Sequence, residues 1–194
     1  MVNMMLDVTR IDEELVEATF VPVPFRQVVE SVAEGLKKPA TERGIEIVLK
    51  LADDTPKIFA NPGMIQKALY HLIVNAIKYT PDGGAVTVCT RAVTLANDLP
   101  GVEVSVQDTG IGIDPEHHEL IFEKFYQVGS VALHSSGKTS FKGGGPGLGL
   151  ALVKGVAQAH GGETWVESAG HDETNYPGSR FFLQIPLNVP SGKR

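Results

Sequence analysis

Three groups of residues in this 194-residue sequence carry chemistry. His71, Asn75 and Lys78 fall at i, i+4 and i+7, a polar stripe beside the apolar positions Ile65, Ala68, Leu69, Leu72, Ile73, Ala76 and Ile77 of a helical pattern. An amide oxygen such as that of Asn75 can give Mg2+ one hard ligand while phosphates and water supply the rest. The Lys78 ammonium can neutralise phosphate charge. Taken alone, the stripe also suits a solvated helix face. Asp108-Thr109-Gly110-Ile111-Gly112-Ile113 follows directly on an alternating strand. A carboxylate at a strand end, with glycines that let backbone come close, suits a planar base whose exocyclic amine donates to the acid; a plain D-x-G turn is the other reading. Gly143-Gly144-Gly145-Pro146-Gly147-Leu148-Gly149-Leu150 runs into a helix, whose exposed amides and positive end make an anion site.

Several familiar alternatives fail on spacing. A dinucleotide fingerprint needs a strand immediately before its glycines and an acid about 20 residues later, whereas a long Gly-, Ser- and Lys-rich stretch over 128–145 precedes these. Residues 132–139 imitate a phosphate-binding Walker loop, but Ala132 stands where the first glycine belongs. His118-Glu119-Leu120 lacks the second histidine of H-E-x-x-H, the six histidines do not cluster at ligand spacing, and no Ser–His–Asp arrangement can be argued. The single cysteine, Cys89, reads as a core residue of a strand and excludes a disulfide framework.

The elements that must position these groups are legible from periodicity. Phe25, Val28, Val29, Val32, Ala33 and Leu36 form one amphipathic helix, and the stripe around Asn75 belongs to a second, stopped by Thr80-Pro81-Asp82-Gly83-Gly84. Strands are predicted over 16–21, 45–51, 57–60, around Val86 and Val88, and over 102–107, where Val102, Val104 and Val106 alternate with Glu103, Ser105 and Gln107. A short helix is expected over 115–126, a longer one over 148–160, and final strands over 163–168 and 179–186. Helices and strands mix without strict βαβ order, so the expected fold is α+β: a mixed sheet covered on one face by helices. Met1, Met4, Met5, Val8 and Ile11 lie on a helical stripe that looks like the end of a longer helix. Seventeen Lys and Arg against 23 Asp and Glu give a net charge of −6, which argues against a nucleic-acid binder. No apolar run approaches the length of a membrane span. A cytoplasmic domain without direct membrane contact is therefore expected, whatever the parent protein does.

Together and in this order, the motifs resemble the ATP-binding catalytic domain of bacterial sensor histidine kinases, within the gyrase/Hsp90/histidine kinase/MutL superfamily. The N box is matched by residues 71–81 (HLIVNAIKYTP), the G1 box by 108–113 (DTGIGI), the F box by 121–126 (IFEKFY) and the G2 box by 145–154 (GPGLGLALVK). The likeness runs from about Phe20 to Pro186. It implies an α/β sandwich of a mixed, largely antiparallel sheet and three helices, with a long ATP lid. It implies a remnant of the dimerisation helix over 1–15, the catalytic domain over 16–190 and a tail over 191–194.

The resemblance also implies roles. Asn75 would ligate Mg2+, Asp108 would accept from the adenine amine, and Lys78 and Tyr79 would border the nucleotide. Gly110 and Gly112 would admit base and ribose beside Ile113. Gly145, Gly147 and Gly149, with Leu148, would admit the phosphates, and Ser179 would lie near the adenine in the final G-[ST]-x-F turn. Lys124 and Phe125 would reach the nucleotide, and Phe122 and Phe125 would anchor a lid that includes Lys142, Gly143 and Gly144. ATP and Mg2+ are the implied cofactors. The implied partners are the dimerisation/histidine phosphotransfer domain of a homodimeric parent and a response regulator receiver domain.

Two positions depart from the family pattern. His71 stands where an asparagine usually opens the N box, and Pro146 removes one backbone N–H from the anion loop. No histidine has the phosphoacceptor context H-[ED]-x-R-x-P, so the chain would need another domain to complete histidine phosphorylation. A protein serine kinase of the anti-sigma-factor type and an ATP-switched conformational ATPase are competing readings. The F box and the helix remnant weigh against the first, and the absence of an acidic base near Asn75 (Val74 precedes it) weighs against the second.

Overall fold

The apolar recurrence from Phe25 folds as helix α1 (Phe25–Thr41) in the computed structural model, which describes residues 19–96, 98–128, 139–142 and 147–188. Its stripe of Phe25, Val29, Ala33, Leu36 and Ala40 is buried. The helix continues through Pro39 to its last turn, where the missing N–H deprives only Gly35 O of a partner, on an exposed residue that water can reach. Strand β1 (Val21–Val23) precedes it and pairs antiparallel with β3 (Ile58–Ala60), Pro22 opposite Phe59. This little sheet tolerates a proline because β1 is an edge. The expected strand over 16–21 is thus shifted towards the C-terminus; residues 16–18 lie outside the described residues, as do the helix remnant over 1–15, the tail over 191–194 and Gly143, Gly144, Gly145 and Pro146.

The main sheet has five strands in the order β2 (Glu46–Leu51), β4 (Ala85–Thr94), β5 (Pro100–Asp108), β7 (Ser179–Pro186), β6 (Glu163–Ser168). β2 and β4 are parallel, and every other pair is antiparallel. A parallel pair needs a crossover, and helix α2 (Pro62–Tyr79) lies within it. With α3 (Gly149–Ala159), the helices cover one face. There Val86, Val88, Val104, Val106, Leu183 and Ile185 meet Ile65, Leu69, Leu72, Ile73 and Ile77 of α2 and Val153 and Val156 of α3 in one core. The fold is the α+β sandwich that the sequence implies.

Two local expectations fail for tertiary reasons. Residues 115–126 form two 3-10 turns, Pro115–His117 and Leu120–Phe122, instead of a helix, with only Phe122 buried. On the outer face of the sheet, Glu103 and Ser105 are each only 2% exposed. Arg91 grips both Glu103 oxygens at 2.7 and 3.0 Å, Gln184 Nε2 donates at 2.8 Å, and Arg180 Nη2 donates to Ser105 Oγ. Burial pushes the Glu103 carboxyl up, but the bonds from Arg91 and Gln184 outweigh it and hold the group below its ordinary value. Trp165 stacks on Phe182 beside them, centroids 4.7 Å apart. Cys89 also lies towards this side, half-buried instead of in the core. Among the histidines, His160 is buried; it donates from Nδ1 to Val156 O and accepts at Nε2 from the Asn61 N–H.

Truncating Leu72, fully buried between helices and sheet, should cost about 2–5 kcal/mol. Urea unfolding of Leu72→Ala will show this, and a midpoint equal to that of the parent would contradict the assigned core.

Candidate functional site

Helix α2 begins cleanly and ends abruptly. Asn61 caps it by accepting from the Met64 N–H at 3.0 Å, and Pro62 occupies the first turn, where a missing N–H is harmless. At the far end Pro81 forces Thr80 into extended backbone, φ −89° and ψ 132°. The last carbonyls of a helix then need donors from elsewhere, and each finds one. Ala76 O takes the Thr80 N–H and hydroxyl; Ile77 O and Thr80 O take Nη1 and Nη2 of Arg43, both at 2.7 Å. Lys78 O takes the Lys142 N–H at 3.0 Å, and Tyr79 O takes the Ile111 N–H at 3.2 Å. The turn after α1, the loop after β5 and residues 139–142 are therefore all tied to one helix end.

Asp108, the last residue of β5, sits beside that end and is 4% exposed. Its Oδ1 accepts from the Gly110 N–H at 2.8 Å and the Ser179 N–H at 3.2 Å. Burial raises its pKa to about 6 against the pull of those two bonds. The register pairs Asp108 with Ser179 across β5 and β7, which explains why residues 71 apart in sequence share one carboxylate. The loop beyond is clamped to the connection between β6 and β7. Gly178 N–H donates to Gly110 O, Asp172 N–H to Ile111 O, and Ile113 N–H to Ser168 Oγ at 2.9 Å. A Cβ on Gly110 would come within 2.3 Å of Tyr79 O, and Gly112, at φ +72°, bridges to His171. Only glycine fits both places.

The third group converges from α3. This helix starts at Gly149 with no side-chain cap among the described residues, and its first amides have no acceptor within the helix. His71 of α2 packs at this start; a Cβ on Gly149 would lie 2.9 Å from its Nδ1. Gly147 (φ +70°) accepts from the Phe125 N–H at 3.0 Å, and a side chain there would strike Tyr126 O. Phe122 is buried edge-on against Phe181, while Phe125, at φ +67°, is 56% exposed.

The structure thus joins His71, Lys78, Tyr79, Asp108, Gly110, Ile111, Gly112, Ile113, Gly147, Leu148, Gly149 and Ser179 through shared contacts or adjacent backbone, and Asn75 lies between His71 and Lys78 on α2. Lys142 reaches the same place through Lys78 O, and Lys124 sits exposed on the turn before Phe125. The half-buried amide of Asn75 makes no hydrogen bond to any described residue, and no described carboxylate pairs with Lys78, whose Nζ lies 4.7 Å from the Tyr79 ring centroid. Among the described residues no group of three or more His, Cys, Asp or Glu could hold a metal ion alone. A single free amide oxygen fits a cation that arrives with most of its ligands already supplied by phosphates and water. Sequence reasoning missed Arg43, Ser168 and Glu173, the last paired with Lys142. They belong to no box, and only the fold brings them here.

A sandwich with this end-of-sheet carboxylate and paired glycine turns defines a nucleotide-binding class, and the comparisons agree. Residues 60–189 match the family described as Histidine kinase-, DNA gyrase B-, and HSP90-like ATPase, and the chain belongs to that family. It is 31% identical over 186 residues, 96% of its length, to hybrid signal transduction histidine kinase D of Dictyostelium discoideum, and covers 11% of that protein. It is 32% identical over 168 residues to the adaptive-response sensory kinase SasA of Rippkaea orientalis, covering 87% of this chain and 37% of the relative. Among solved structures, the mycobacterial sensor histidine kinase MprB superposes with a TM-score of 0.69 at 26% identity, over 88% of this chain and 99% of that one. Full-length ShkA in complex with AMPPNP gives 0.69 at 28% identity, over 91% of this chain and 33% of that one. The chain therefore corresponds to the catalytic domain of sensor histidine kinases and spans a minor part of the curated relatives. No helix among the described residues is long and apolar enough to cross a membrane.

The buried carboxylate sets a pH dependence. Because the folded chain binds the Asp108 proton more tightly than the unfolded chain, whose ordinary value is 3.8, stability from this group is full below pH 3.8 and is lost as pH rises through about 6. Asp108→Asn removes that loss. The variant should gain on the parent by up to about 3 kcal/mol between pH 4 and 7.5; urea unfolding at both pH values that gave the same parent–variant difference would contradict it.

Proposed function

We propose that this domain binds ATP with Mg2+ and presents the γ-phosphoryl group to a histidine on a separate dimerisation and phosphoacceptor domain. The observation that carries the reading is the convergence at α2 of a buried carboxylate, an amide with no hydrogen bond and an ammonium with no carboxylate partner among the described residues, and a helix start without a side-chain cap. These are the partners of an adenine amine, a phosphate-bound cation and phosphate oxygens. The AMPPNP bound to ShkA supports ATP as the nucleotide.

In this reading Asp108 accepts from the adenine amine while Gly110 and Ser179 hold its other lone pairs, and Tyr79, Gly112 and Ile113 line the base and ribose. Asn75 holds Mg2+, which neutralises charge on the phosphates. Lys78, His71, Lys124 and Phe125 border the phosphates, and the amides from Gly145 through Gly147 and Leu148 to Gly149 receive their oxygens. Phe122 roots the lid in the core, with Lys142, Gly143 and Gly144 closing its other side. Transfer itself depends on positioning and charge neutralisation. The acceptor imidazole nitrogen forms the N–P bond, the bond between the γ-phosphorus and the bridging oxygen breaks, and ADP leaves. The acceptor lies outside this chain's motifs: His118, the one residue with partial context, is occupied by Ile113 O at 3.1 Å. A receiver domain would then take the phosphoryl group onward, in a homodimeric parent.

Calorimetry should detect Mg2+-dependent ATP binding by the parent chain, weakened at least about tenfold by Asn75→Asp and by Asp108→Asn. Parent affinity should also fall as pH drops below about 6 and Asp108 gains its proton, while Asp108→Asn shows no such drop. Undiminished binding in both variants would refute the assignment, and restored transfer to a dimerisation domain added in trans would complete it.

A further inference from the structure

We propose that Arg43 and Glu173, which belong to none of the nucleotide-binding boxes, are positioning residues that clasp residues 139–142 as a strap across the mouth of the site; this rests on the nucleotide reading above. Arg43 lies in the turn after α1, and its side chain is only 12% exposed. Besides Ile77 O and Thr80 O it donates to Thr139 O at 2.8 Å and to Asp82 Oδ1 from Nε at 2.8 Å, and its guanidinium lies 5.8 Å from the Phe141 ring centroid. One planar, multi-donor group therefore serves the end of α2 and the strap together, which a point-charge lysine cannot do.

The strap crosses between the two walls of the site. On one wall the Lys142 N–H bonds the carbonyl of Lys78, the residue that borders the phosphates in that reading. On the other, Lys142 Nζ pairs with Glu173. Glu173 stands in the loop whose Asp172 N–H bonds Ile111 O and whose His171 bridges Gly112. Phe141 lies between two cations, with Lys142 Nζ 5.6 Å from its centroid. The contact thus fixes the spacing between the Lys78 wall and the Gly112 wall.

The test is Mg–ATP calorimetry on the full chain together with amide exchange of Lys142, for the parent, Arg43→Ala, Arg43→Lys and Glu173→Gln. Arg43→Ala should weaken binding about tenfold, Glu173→Gln about threefold and Arg43→Lys by an intermediate amount. In the nucleotide-free variants the Lys142 amide should exchange faster than in the parent. Glu173 is half-exposed on a loop, so its variant folds even if Arg43→Ala does not, and a role confined to capping α2 would leave it silent. ATP binding by the parent with Glu173→Gln indistinguishable in affinity and Lys142 exchange would overturn the strap alone. Failure of the parent to bind would sink the nucleotide reading and the strap with it.

Discussion

The end of α2 is the constraint on which the site depends. A helix stopped by proline leaves its last carbonyls without internal partners, and leaving them dry and unpaired would cost on the order of 1–3 kcal/mol each. In this chain the donors come from three remote segments: Arg43 after α1, Ile111 after Asp108, and Lys142. The same bonds that complete the helix therefore assemble the pocket. The negative end of α2 also suits the guanidinium that Arg43 brings to it. The uncapped start of α3, a positive end, faces the same region through His71. The two helix ends supply opposite partial charges on either side of one space, which suits a ligand with an amine at one end and phosphates at the other.

Asp108 shows how the fold holds a group that the free chain does not favour. Burial disfavours its ionised form, and only two backbone N–H groups offset that, both on Oδ1. A donor brought by ligand would relieve the remaining cost, so the destabilisation in the empty domain becomes affinity when the donor arrives. Perturbed carboxylates of this kind concentrate at functional sites. Glu103 makes the contrast clear. It too is buried, yet Arg91 and Gln184 satisfy it and hold it ionised on the outer face of the sheet.

Much of this was legible in the sequence because the decisive signals are local. The 3.6-residue stripes of α1 and α2, the alternation in β5, the stop at Thr80-Pro81 and the glycines around 110 and 147 each follow from backbone preference over a few residues. Alternation, however, reports only that two faces differ. It does not tell that Arg91 from β4 and Arg180 and Gln184 from β7 cover Glu103 and Ser105. The stretch over 115–126 has helix-compatible residues, but its Phe122 must reach Phe181 in the core while its next residues turn to meet Gly147. That double requirement yields two short turns instead of a helix. Arg43, Ser168 and Glu173 carry no pattern at all, since their meaning lies in carbonyls and ions brought to them from distant segments.

The departure at His71 fits the same logic. An asparagine there would present a short amide to the space beside α3. The imidazole instead packs against Gly149, where even one added carbon would lie 2.9 Å from Nδ1, and its edge meets the Tyr70 ring at 5.5 Å. Gly149 is therefore required by the bulk of His71 as well as by any ligand that approaches the helix start. The residue that departs from the motif thus packs between α2 and the start of α3.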